Sequence, residues 1–99
     1  MKHTIPEETR ELFRAILTLA SEEECAAFFE DICTIKEIQD LSQRLQVAAM
    51  LNQGEKYQSI EQKTGASTAT ISRVNKCLVY GSGGSRTVLE RRGETEGNE

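Results

Sequence analysis

The 99-residue chain has no tryptophan, a single histidine, a single proline and only five aromatic residues. The one histidine, His3, stands near the start of the chain with no nucleophile–base pair, carboxylate dyad or ligand cluster around it. An enzyme is therefore not expected, and neither is a metal site. Cys25, Cys33 and Cys77 are an odd number and contain no C-x-x-C, which argues against a disulfide framework or a zinc site. Cys25 and Cys33 share a helical face with Phe28, Phe29 and Ile32, and thiols packed in that face are expected. There is no apolar run long enough to cross a bilayer, and no signal peptide is recognised. The expectation is a soluble cytoplasmic protein with no membrane partner. The length allows one domain at most. With 37% apolar residues, a lone core would be marginal, and burial against a second copy is expected.

Charge is present but unevenly placed. Residues 1–55 carry a net charge of −6, residues 56–80 a net +3 and residues 81–99 a net −1. An acidic body thus offers one basic segment, a distribution suited to touching nucleic acid with one face. That segment, YQSIEQKTGASTATISRVNKCL from Tyr57 to Leu78, has the form of two short helices around a tight turn. Ile60 and Thr64 mark the inner face of the first. Gly65 ends it, because the residue just past a helix often takes a left-handed backbone that glycine adopts cheaply. Ser67 or Thr68 can cap the second helix, and Ile71, Val74 and Leu78 form its apolar stripe at i, i+3, i+7. Its other face holds Thr68, Ala69, Ser72, Arg73 and Lys76 and no acid. Short hydroxyls and cations suit base edges and phosphates, and Thr70 can hold a phosphate. This is the pattern of a helix-turn-helix with a DNA-reading second helix. The competing reading is an αα-hairpin with a solvated face, used as a protein–protein docking module without DNA.

Upstream, three S/T-x-x-E capping boxes mark helix starts: Thr4 with Glu7, Ser21 with Glu24, and Thr34 with Glu37. Pro6 falls in the first turn of the first helix, where a missing N–H costs nothing. The first helix is expected over 5–19, burying Leu12, Phe13, Ile16 and Leu17. The second is expected over 22–32, with Cys25, Phe28, Phe29, Ile32 and Cys33 in its apolar stripe, as core or dimer interface. The third, over 35–52, carries the seam Ile38, Leu41, Leu45, Ala48 and Leu51 and is expected to be central. After Tyr80, Gly81-Ser82-Gly83-Gly84-Ser85 has linker composition. Residues 1–80 are thus expected to form the folded domain, and residues 81–99 a flexible tail with at most a short helical turn at 88–92. Residues 93–99 are expected to be disordered.

Several strings together resemble the Trp repressor superfamily, and within it the TrpR-like YerC/YecD family. They are Cys33-Thr34-Ile35-Lys36-Glu37-Ile38, Gln43-Arg44-Leu45, Leu51-Asn52-Gln53-Gly54-Glu55, and the run from Thr64 through Gly65 and Thr70 to Arg73. The match covers roughly residues 5–80 in the family's order. The resemblance implies an all-α fold, a Trp-repressor-like multi-helix array forming an intertwined homodimer. It implies a transcriptional regulator, a repressor, that reads double-stranded DNA at a palindromic operator with half-sites about 34 Å apart. Carried over residue by residue, the DNA contacts fall on Gln58, Glu61, Thr68, Ala69 and Ser72. Glu61 replaces the lysine of the Trp repressor. An acid cannot bind phosphate, though it can accept from a cytosine amine, so a different operator is expected. The family's corepressor site matches Arg44 and Arg73, which would flank a ligand, and Thr34, whose carbonyl would take its amino group. Two departures fall there: Val74 for a glycine, whose branched bulk enters the space left for the ring, and Cys77 for a serine near the ligand's amine. L-tryptophan is therefore not expected to fit, and either another anion or no effector is expected there.

Overall fold

The computed structural model describes residues 4–93; His3 and residues 94–99, for which the sequence predicts disorder, lie outside them. Every element among the described residues is a helix: α1 (Glu7–Ile16), α2 (Glu22–Ile32), α3 (Ile35–Asn52), α4 (Tyr57–Thr64), α5 (Thr68–Tyr80) and α6 (Gly84–Arg91). The fold is all-α, as expected. The chain divides into two compact units, residues 1–38 and 39–99, with the division inside α3.

In the first unit, side-chain caps set two of the three helix starts. Ser21 Oγ accepts the Glu24 N–H (3.1 Å), while the Glu24 carboxylate accepts the Ala20 N–H (2.8 Å). Thr34 and Glu37 form the full reciprocal box, at 3.0 and 2.8 Å. The third expected box does not form. Pro6 is itself the N-cap, with an extended backbone and no side-chain cap, and its carbonyl accepts the Thr9 and Arg10 N–H groups. The proline ring presets the entry angle, so the helix begins at Glu7 and leaves Thr4 outside. At its other end α1 stops at Ile16 rather than 19. The Leu19 N–H bonds three residues back to Ile16, and both the Thr18 N–H and hydroxyl bond to the Ala15 carbonyl, which tightens and ends the coil.

Neither α1 nor α2 has a buried residue. Leu12 and Phe13 are more exposed than buried-face residues should be, Leu17 is 81% exposed, and Ile32 is half exposed. Phe28 and Phe29 are half-buried and meet edge to face, with ring centroids 5.6 Å apart. Cys25 is exposed and Cys33 half-buried, so the thiols are not the packed pair their spacing indicated. The apolar stripes are present on both helices, but no residue of either helix is fully buried.

The second unit has a core. Val47 of α3, Ile60 of α4, Ala66 of the turn and Ile71 of α5 are buried together, flanked by Met50, Leu51, Tyr57 and Val74. The α3 seam is therefore buried in its later half only. Ala48 is 2% exposed, whereas Leu41 and Leu45 are 49% and 40% exposed. The α5–α6 connection is tight. The Gly81 N–H donates to the Cys77 carbonyl at 2.8 Å, and a Cβ on Gly81 would stand 2.2 Å from that oxygen. The segment with the composition of a linker and a single turn is helical from Gly84, for two reasons. Leu89 is fully buried, and Arg86 Nε donates to the Leu78 carbonyl (3.2 Å), joining α6 to the last turns of α5. A helix of eight residues held by one apolar anchor and one cation leaves little trace in composition. No helix among the described residues is long and apolar enough to cross a membrane.

Candidate nucleic-acid interface

The hairpin of α4 and α5 is built from local chemistry first. Thr64 turns its hydroxyl back onto the Ile60 carbonyl (2.7 Å) and accepts the Ala66 N–H (3.1 Å). Gly65 follows at φ +74°, its N–H on the Glu61 carbonyl at 2.9 Å. An L-residue with a Cβ would be strained in that left-handed turn. Ser67 then caps α5 by accepting the Thr70 N–H at 3.1 Å, and its hydroxyl donates to Thr70 Oγ1. Of the two residues able to cap, Ser67 is the one used. Tertiary contacts complete the frame. Gln43 of α3 donates to the Thr64 carbonyl (3.1 Å), and Ile60, Ala66 and Ile71 close against Val47.

The frame brings most of the expected residues onto α4 and α5. Thr68, Ala69, Ser72, Arg73 and Lys76 are all exposed along α5, and Gln58 is exposed on α4. The apolar stripe faces the other way: Ile71 and Leu78 are buried and Val74 half-buried. Thr70 is half-buried and engaged with Ser67, so it is less available than an exposed hydroxyl. Glu61 is half-buried and accepts a hydrogen bond from the Thr68 hydroxyl. At the start of α4, Glu55 accepts from Lys63 (2.9 Å) and Ser59 (3.0 Å). The Lys63 ammonium, then the Ser59 hydroxyl, hold its carboxyl below the usual glutamate range. Lys63 is thus committed to Glu55.

Arg44 and Arg73 also come together. With Leu45, Ala48, Thr70, Val74, Cys77 and Ser85 they line an open cavity of about 430 Å³. Val74 lies on its wall while also packing against the core. Thr34 belongs to the other unit, where its side chain is used in the Glu37 capping box. Sequence reasoning missed Ser85 as a lining residue, because it assigned that stretch to a linker. It also missed Gln43 as the brace of the turn, since a glutamine on a helix carries no signal of its distant partner. Among the described residues, no group of three or more His, Cys, Asp or Glu gathers.

This architecture, a helix-turn-helix braced by a long preceding helix, is what the comparisons with known proteins return. The Trp repressor protein model matches residues 7–93. YerC of Bacillus subtilis, a protein of uncharacterised function, is 56% identical over 89 residues, which are 90% of this chain and 86% of that protein. Two crystal structures superpose closely. A candidate Trp repressor from Staphylococcus aureus has a TM-score of 0.89 at 52% identity, covering 93% of this chain and 92% of its own. A TrpR-like protein from Eubacterium eligens has a TM-score of 0.88 at 53% identity, covering 92% and 94%. The chain belongs to the Trp repressor family, a family of regulators rather than enzymes. The family match continues through α6, beyond the residue-80 limit drawn from composition.

Proposed function

We propose that this protein is a sequence-specific DNA-binding transcriptional regulator of the cytoplasm, a repressor, acting as a homodimer on a palindromic operator. One observation carries the reading: α5 lies on a buried core with its outer face open, and that face holds Thr68, Ala69, Ser72, Arg73 and Lys76 without an acid. Arg73 and Lys76 supply charge for phosphates, and the small residues let the helix approach base edges. Thr70 contributes less than its exposed neighbours. The uncovered apolar faces of α1, α2 and the first half of α3 are the surface a second copy would bury, and two-fold symmetry would set two recognition helices about 34 Å apart. The cavity between Arg44 and Arg73 is the place for a small anionic effector. Val74, half-buried against the core, narrows it against an indole.

Selection of bound duplexes from a random pool, at two salt concentrations and with or without L-tryptophan, tests this. A palindromic consensus is expected without tryptophan; a consensus that requires tryptophan would overturn the argument from Val74. Charge reversal, Arg73→Glu with Lys76→Glu, is expected to abolish salt-dependent binding, because removing one cation from a phosphate lowers the salt slope by about one. Duplex binding that survives this double change would overturn the role given to Arg73 and Lys76, and a wild type without salt-dependent duplex binding would favour the protein-docking alternative.

A further inference from the structure

We propose that Glu61 and Thr68 act as one base-reading pair that selects a cytosine in each operator half-site; this rests on the DNA-binding reading above. Glu61 lies in α4 and Thr68 is the first residue of α5, and the Thr68 hydroxyl donates its only proton to Glu61 Oε2. That bond changes what both groups offer. Thr68 has no proton left for a phosphate or a base acceptor, so it presents lone pairs and a methyl group. The ionised carboxylate is acceptor-only. The pair therefore shows DNA a surface of acceptors, in contrast to the donors of Arg73 and Lys76.

Such a surface can meet little of a DNA duplex. Phosphates repel it, so a carboxylate on this face weakens binding unless it reaches a donor. In the major groove the donors are the amine of cytosine and the amine of adenine, whereas guanine and thymine turn acceptors outward. Adenine sets its N7 acceptor beside the amine, against the remaining lone pairs of the pair. Cytosine has no such neighbour and is the base that fits. Glu61 is the only acid between Tyr57 and Tyr80, so the discrimination belongs to one base pair per half-site. The Thr68 bond holds the carboxylate in one orientation, which reduces the ordering cost of the contact.

The test is duplex selection from a random pool with the full chain and three variants. The wild type is expected to show cytosine at one symmetry-related position, discriminated roughly 5- to 100-fold. Glu61→Gln should move that position alone to adenine, since an amide pairs with the adenine N6 and N7. Glu61→Asp keeps the charge but retracts the carboxylate, and should retain cytosine with reduced discrimination; Thr68→Val should do the same by removing the clamp. A Glu61→Gln consensus identical to the wild type's overturns the pair and leaves the DNA-binding reading standing. Unchanged discrimination in Thr68→Val overturns the role of the clamp. A wild type with no consensus at either salt concentration removes both readings together.

Discussion

The two units of this chain are equally helical and differ in what holds them. Residues 4–38 have side-chain caps at two of three helix starts and regular apolar stripes, yet α1 and α2 contain no buried residue. Residues 39–93 place Val47, Ile60, Ala66 and Ile71 in one cluster and bury Leu89 completely. The difference lies in topology rather than composition. In the second unit the Gly65 turn folds α5 back onto α4, so the apolar faces of two adjacent helices meet and close on α3. In the first unit Leu12, Phe13 and Leu17 remain open to solvent. Local signals form helices in both units; only the second unit covers its own apolar face.

Four measurements would break or sharpen this contrast. The largest effect is expected from Ile71→Ala, which empties a fully buried site and should cost about 2–5 kcal/mol. In urea melts the loss should not depend on protein concentration, because the cavity lies within one chain. Phe28→Ala, in the half-buried aromatic pair of α2, should cost less, about 1–3 kcal/mol. Its cost should fall as the protein is diluted if a second copy is what covers that face. A concentration-independent loss would instead give the first unit a self-contained core.

Smaller again is Ser67→Ala, which removes the cap of α5. About 1 kcal/mol is expected in thermal melts, together with weaker duplex binding, because the first turn of α5 carries Thr68 and Ala69. A matching Ser21→Ala change should lower stability by a similar amount and leave duplex binding alone. The smallest effect is electrostatic. Glu55 has a lowered pKa in the folded protein, first through Lys63 and then Ser59. The folded state thus prefers its charged form, so the stabilisation is present above the ordinary glutamate range and is lost as pH falls through the depressed value. Lys63→Met should flatten this part of the acid-side stability profile. A profile that Lys63→Met leaves unchanged would show that the pair contributes nothing in solution.

Local chemistry made most of the helices legible. The Ser21–Glu24 and Thr34–Glu37 boxes, the left-handed Gly65 and the Ser67 cap each act within a few residues, so α2 and α3 run over the spans their sequence predicts. The outward set Thr68, Ala69, Ser72, Arg73 and Lys76 was legible for the same reason: once Ile71 and Leu78 face inward, helical geometry determines the rest. Resemblance added Arg44, which nothing local distinguishes from a surface arginine.

What only the tertiary structure decided rests on contacts between one helix and another. It made half of the α3 seam core and left Leu41 and Leu45 open. It used Gln43 to brace the turn and turned a glycine-rich stretch into α6 through Leu89 and Arg86. It also joined Glu61 to Thr68, seven residues on. Capping, periodicity and turn geometry are short-range, and the sequence determines them alone. Burial and hydrogen-bond partners across helices depend on how those helices pack, and packing is a property of the folded chain.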